Sequence, residues 1–288
     1  MRVPAGFVVE RSGSSSLFAA AESVEAIRQA GLSVPEGWER IRGAGAEGSG
    51  RGRSARVVLP DGRRIVVKKL KRGGATAGFW RDRFVGPGRA LANLDVPLEA
   101  AARGVATVVP VALLLSEGPA GFFQAWLATD EIADSTDLLT RYRREPPPAA
   151  TLTIAMLDAV RRAHDAGLVH RDLNLANLLA RERADGGWDV FVVDLDRASL
   201  RRGSLGFRPR LRALRRLERS AVKHFGPAGP PGAGNPTSWY DVYARGDAVL
   251  ARRFERGRRA GRLWLALHRI GWRETGRIPA ATKGRGPR

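Results

Sequence analysis

Residues 164–180 read HDAGLVHRDLNLANLLA, and residues 190–196 read VFVVDLD. This pair of stretches constrains the fold more than any other part of the chain. The first places a carboxylate, Asp172, in a polar loop and an amide, Asn177, five residues later. The second is a run of β-branched and aromatic residues, the composition of a buried strand, and it ends on a second carboxylate, Asp194. Carboxylate and amide oxygens are hard ligands suited to Mg²⁺, and a lone loop carboxylate is a ready proton acceptor.

The order of the parts upstream narrows the reading. WERIR (38–42) reads as a strand, followed by the glycine run GAGAEGSGRGR (43–53). SARVVL (54–59) and RIVVKKL (64–70) flank the turn PDGR, and Asp-Gly between two β-rich runs marks a hairpin. Residues 17–30 read as a short helix ended by Gly31, and VPLEAAARGV as an Ala-rich helix around Glu99. TVVPVALLLS and GFFQAWLA read as two further strands. Residues 151–166 carry Met156, Leu157, Val160 and Ala163 at helical spacing, with Gly167 placed as the C-cap. ANLLA and WDVFVVDLD read as a strand pair around ADGG. RLRALRRLERSAVKHF puts Leu214, Leu217, Ala221 and Phe225 on one stripe, and RLWLALHRIGW (262–272) reads as a last amphipathic helix whose Trp264 and Trp272 read as core or, alternatively, as membrane-interface anchors.

Strand, glycine loop, strand with Lys, helix with Glu, then a loop H-R-D…N and a strand ending in Asp is the part order of a two-lobed ATP-dependent phosphotransferase. The expected fold is α+β and protein-kinase-like, with a small antiparallel-sheet N-lobe holding one main helix and a mostly helical C-lobe. The boundaries read as an N-terminal extension over 1–37, an N-lobe over 38–128, a hinge at about 128–133, a C-lobe over 129–277 and a disordered tail over 278–288. Gly48, Gly50 and Gly52 are the register chosen for the loop that lets phosphates approach backbone N–H groups. Lys68 would hold the ATP phosphates, Val66 on the same strand face would line the adenine slot, and Glu99 would orient Lys68. Asp172 would be the base, and Asn177 and Asp194 would hold Mg²⁺. Asp196 reads as a salt-bridge partner of Arg197. Protein kinases commonly carry Lys where this chain has Asn174, no A-P-E string occurs, and little room is left for an activation segment after Asp194. A protein acceptor is therefore disfavoured.

Composition excludes several classes. With no cysteine, the chain has no disulfide scaffold, thiolate catalysis or Cys-based metal site. The first residues hold no apolar run long enough for a signal h-region, and no stretch approaches the 18 apolar residues of a membrane span, which reads as a cytoplasmic chain. The net charge of +20 favours anionic partners.

The chain resembles the lipopolysaccharide core kinases, which include Kdo kinase and the inner-core heptose kinase. The matching stretches are GRG (50–52), DGRRIVVKKLKRGG (61–74), RDRF (81–84), HDAGLVHRDLNLANLL (164–179), VVDLDRA (192–198) and the basic stretch PRLRALRRLERSAVKHF. LKRGG, HRDLN and DLDR look closer to the Kdo kinase branch. The resemblance implies an enzyme that uses ATP and Mg²⁺ to phosphorylate a sugar hydroxyl of a nascent lipid A–core glycolipid, peripheral on the anionic cytoplasmic face of the inner membrane. It implies no specific nucleic-acid partner and leaves the oligomeric state open. Two other readings stand beside it: a small atypical Ser/Thr protein kinase, and a pseudokinase or basic nucleic-acid-binding module.

Overall fold

The computed structural model describes residues 3–44, 54–71, 84–144 and 150–258. Gly48, Gly50 and Gly52, the helix expected at 262–272 and the tail all lie outside the described residues. The chain divides into two compact units. The first takes residues up to Ala133 together with Asp194–Ala198, and the second takes Asp134–Val193 and the chain from Ser199 onward.

The first unit runs β1 (Phe7–Ser12), β2 (Ser15–Ala20), α1 (Val24–Gln29), α2 (Pro35–Ala44), β3 (Ser54–Val58), β4 (Arg64–Lys69), β5 (Phe84–Val85), α3 (Gly88–Ala102), β6 (Pro110–Glu117) and β7 (Phe122–Asp130). Its strands form one antiparallel sheet in the order β1-β2-β6-β7-β4-β3, with β5 paired to β7. The residues read as an N-terminal extension thus supply two strands of this sheet. The Asp-Gly turn closes β3 on β4: Arg63 N–H donates to the Asp61 carboxylate at 3.0 Å, and Gly62 adopts φ 84°.

The sheet is packed on both faces, which explains the unbroken apolar runs in β6 and β7. Leu17, Ile65, Val67, Leu114 and Trp126 join Ile27, Leu32 and Trp38 in one cluster, under α1 and α2. Phe18, Leu113, Leu115 and Leu127 face the other way, against Ala90 and Leu94 of α3. Alternation along β4 assigns its residues accordingly. Ile65, Val67 and Lys69 lie on the first face, and Val66 and Lys68 on the second.

Two sequence expectations are corrected here. WERIR is not a strand: it lies in α2, where Pro35 takes the first turn, Glu36 follows, and Trp38 and Ile41 fall one helical turn apart. The stretch 17–30 is not one helix: Leu17–Ala20 belong to β2, and only Val24–Gln29 are helical. The Ala-rich β2 is held by pairing with β1 and β6, and that ladder overrides the helical preference of alanine.

The second unit runs β8 (Ser135–Asp137), α4 (Leu138–Arg141), α5 (Ala150–Asp165), β9 (Leu168–Val169), β10 (Leu178–Glu182), β11 (Trp188–Val192), β12 (Ser199–Leu200), α6 (Phe207–Phe225) and α7 (Trp239–Tyr243), with a further helix over 248–258. Its sheets are β11-β10-β8 and the short pair β12-β9. Leu152, Met156, Leu157, Val160 and Ala163 form the buried stripe of α5. Gly167 ends it at φ 87°, and a Cβ there would meet the carbonyl oxygens of Arg201 and Gly203 at 2.5 Å, so the turn into β9 admits only glycine. On α6 the stripe is Leu211, Leu214, Leu217, Ala221 and Val222. Arg210, on the same helix and 8% exposed, donates to the Leu205 carbonyl at 2.7 Å, to Tyr243 Oη at 2.9 Å and to Asp165 at 2.5 Å. It ties α5, α6 and α7 together. Among the described residues, no helix is long and apolar enough to cross a membrane.

Candidate active site

Strand parity delivers Lys68 to the α3 face of the sheet, and there its Nζ lies 2.9 Å from Asp194 Oδ1. Lys69, one residue on, is spent on the opposite face. It pairs with Glu39 of α2 at 2.9 Å and stands 4.9 Å over the Trp126 ring, while Trp126 Nε1 also donates to Glu39. Burial pushes the Glu39 carboxyl up, and the bonds from Lys69 and Trp126 more than reverse this, so its net shift is downward. Val66 shares the Lys68 face and is half-buried. Asp194 has φ 59°, a left-handed backbone that costs a residue with a side chain about 1–2 kcal/mol. Such outliers persist where the surroundings over-determine them, commonly at working sites.

The segment after Asp194 is anchored by α3. Asp196 accepts from Arg89 at 2.9 Å and from Asn93 Nδ2 at 3.4 Å, and Asn93 is 3% exposed. This corrects the expectation of an Asp196–Arg197 salt bridge. It also bears on Glu99, which pairs with Arg103 one turn later and is exposed, while Lys68 is engaged by Asp194. The reason is helical phase. Asp95 and Glu99 share the outward face of α3, and the inward stripe is Ala90, Asn93, Leu94, Pro97 and Ala100. Sequence reading missed Arg89 and Asn93 because it began this helix too late. The Pro87-Gly88 pair ahead of them was the available start signal.

The second unit carries the loop 170–177, whose backbone is fixed by its own side chains. Asp172 N–H donates to His170 Nδ1 at 3.1 Å, so the ring proton sits on Nε2, which donates to the Val193 carbonyl at 3.0 Å. The Asp172 carbonyl accepts from Asn174 Nδ2 at 3.0 Å and from Asn177 Nδ2 at 2.8 Å. Asn174 Oδ1 in turn accepts from Ala176 N–H at 2.9 Å and caps a single 3₁₀ turn. Val193 N–H returns to the Asn177 carbonyl at 3.0 Å, which fixes the residue immediately before Asp194. Because a carbonyl can only accept, these bonds fix both amides, and Asn177 Oδ1 is left as an acceptor. Among the described residues the Asp172 carboxylate accepts no hydrogen bond, and it is exposed. Asn174 therefore replaces a cation of the protein-kinase pattern with a loop brace.

A family model for the lipopolysaccharide kinases (Kdo/WaaP) matches residues 37–230, more than half of the chain. The chain belongs to this family. Among solved structures it is similar to WaaP in complex with acyl carrier protein, at 22% sequence identity and TM-score 0.51, over 80% of this chain and 94% of that one. At that identity the likeness speaks to the fold, which is kinase-like. A search of curated proteins returns no match.

The lipopolysaccharide kinase family implies ATP as phosphoryl donor, and the residues present fit it. Lys68 supplies a point charge, and Asp194 and Asn177 Oδ1 are hard oxygen donors. Among the described residues no group of three or more His, Cys, Asp or Glu side chains could hold a metal ion.

Proposed function

We propose that this chain transfers the γ-phosphoryl group of ATP to a sugar hydroxyl of the lipopolysaccharide inner core, with Kdo the favoured acceptor and heptose the next. The observation that carries the chemistry is the Asp172 carboxylate, exposed and without a hydrogen-bond partner among the described residues, on a loop whose backbone is braced by His170, Asn174 and Asn177. A base positioned at no cost in reorganisation contributes roughly 10²–10⁴-fold in rate. The choice of Kdo rests on the resemblance of LKRGG, HRDLN and DLDR to the Kdo kinase branch.

In this reading Asp172 orients the acceptor hydroxyl and accepts its proton as the new oxygen–phosphorus bond forms. Lys68 holds the donor phosphates, and Asp194 with Asn177 Oδ1 holds Mg²⁺. Bound Mg²⁺ neutralises charge on the transferring phosphoryl group. Val66, on the Lys68 face of β4, would line the adenine slot. In this reading Asp194, which pairs with Lys68, takes the orienting place expected of Glu99, which pairs with Arg103. The excess of basic residues keeps the enzyme at the anionic cytoplasmic face of the inner membrane, where each Lys or Arg lying next to the surface contributes roughly 1 kcal/mol.

The test is transfer of labelled phosphate to three acceptors in parallel: a Kdo-bearing lipid A precursor, a heptosylated core and a generic protein. Transfer to the Kdo-bearing precursor is expected, abolished by EDTA and by Asp172→Asn. Labelling of the heptosylated core alone would move the assignment to heptose. Labelling of the protein alone would sink it.

A further inference from the structure

The second unit holds a cavity of about 300 Å³ that the chemistry above does not use. Its polar lining is His164, His170, Arg171, Arg201, Arg212 and Arg216, and no acidic side chain lines it. The arginines converge from three places. Arg171 precedes the proposed base, Arg201 follows β12, and Arg212 and Arg216 stand on successive turns of α6. Like charges at that helical spacing repel. The histidines do not relieve this, since His164 is held neutral by burial and His170 has both ring nitrogens bonded, to Asp172 N–H and to the Val193 carbonyl.

Elsewhere in the unit, arginines meet carboxylates: Arg181 pairs with Asp189, Arg183 with Asp185, and Arg210 with Asp165. Among the described residues, no ion pair engages Arg171, Arg212 or Arg216. Burial lowers the Arg216 guanidinium from its ordinary value, as do Arg219, Arg212 and Arg171, with Asp172 acting the other way. That coupling also places Arg216 within electrostatic reach of the proposed base. Guanidinium groups bind phosphate and carboxylate through paired N–H donors, and about 300 Å³ is the lower end of the range for small-ligand sites.

We propose that this cavity is an oxyanion subsite, in which Arg171, Arg201, Arg212 and Arg216 bind a phosphate or carboxylate group of the acceptor while its hydroxyl reaches Asp172. That an oxyanion binds here follows from the cavity; that it belongs to the acceptor rests on the kinase reading.

The test uses the full chain and the double variant Arg212→Gln/Arg216→Gln. With a non-hydrolysable ATP analogue saturating the nucleotide site, inorganic phosphate is titrated calorimetrically at low salt. Wild type should bind it, and the variant should bind at least tenfold more weakly while keeping its affinity for the analogue. Because the replaced charges repel, the variant should melt no lower than wild type. In a second arm, kcat/KM is compared for the glycolipid acceptor and its enzymatically dephosphorylated form. The preference for the phosphorylated form should shrink at least tenfold in the variant, and phosphate should compete with the acceptor. Unchanged phosphate binding in the variant overturns the subsite. An equal loss on both acceptors, or phosphate that binds without competing, overturns its assignment to the acceptor. If no glycolipid is phosphorylated at all, the kinase reading fails and the acceptor assignment with it, whereas the titration still decides the cavity.

Discussion

Asp172 and Asn174 divide the work of one loop. The first keeps its carboxylate unbonded, and the second uses both ends of its amide to brace the backbone around it. Asp172→Asn should lower kcat by about 10²–10⁴-fold with ATP affinity nearly unchanged, as read by single-turnover kinetics and nucleotide titration. Asn174→Lys, which installs the residue common in protein kinases, should lower kcat as well, because it removes two loop bonds; a gain in activity would show that the brace is dispensable. Lys68→Met should abolish turnover yet shift stability by no more than about 1 kcal/mol, since its ion pair with Asp194 is partly solvated on both sides. The places of Asp172 and Asn177 on one loop and of Asp194 at a strand end were legible because loop and strand grammar fixes their spacing, and the sheet face of Lys68 because parity separates it from Lys69. The role of Asn93 could not. A buried amide on an Ala-rich helix has no periodic signature, and an exposed glutamate one turn away draws the eye.

Helices α5, α6 and α7 meet in a polar knot of His164, Tyr243 and Arg210. Arg210 donates to Tyr243 Oη, so the phenol's single proton goes to His164 Nδ1 at 2.7 Å. Burial, then Arg210 and His170, push the His164 pKa down to about 3. The unfolded chain takes up this proton near pH 6.5, well before the folded chain does. Stability should thus be intact above about pH 6.5 and fall as pH drops toward 3, by up to ~1.4 kcal/mol per pH unit from this residue. Urea unfolding at pH 7, 6 and 5 checks it, and His164→Gln should flatten the slope. On α3, a double-mutant cycle of Arg89→Ala and Asp196→Asn should show a coupling of about 1 kcal/mol in unfolding free energy. The elements with strong local grammar, the β3–β4 hairpin and the α5 and α6 stripes, were readable from the sequence alone. α2 was not, because five residues rich in Trp, Ile and Arg fit a strand as well as a helix until Pro35 is taken as a start. β2 was not, because its closing alanines run into a stretch with helical preference, and only the pairing with β1 and β6 decides against it.

Across the whole molecule, 49 basic residues face 29 acidic ones. Binding to vesicles rich in anionic lipid should be strong at low salt and fall steeply as salt rises, with little binding to zwitterionic vesicles. Flotation assays at graded ionic strength read this out. An equally steep slope on random RNA would favour the nucleic-acid reading instead. One backbone angle has a consequence for how variants of the entire chain will sort. Asp194 sits at φ 59°, a region that asparagine visits at least as readily as aspartate and glutamate does not. The charge-keeping replacement is therefore the harsher one. In a pooled library sorted by soluble yield, Asp194→Asn should persist as an abundant, silent protein, and Asp194→Glu should thin out although its formal charge is unaltered.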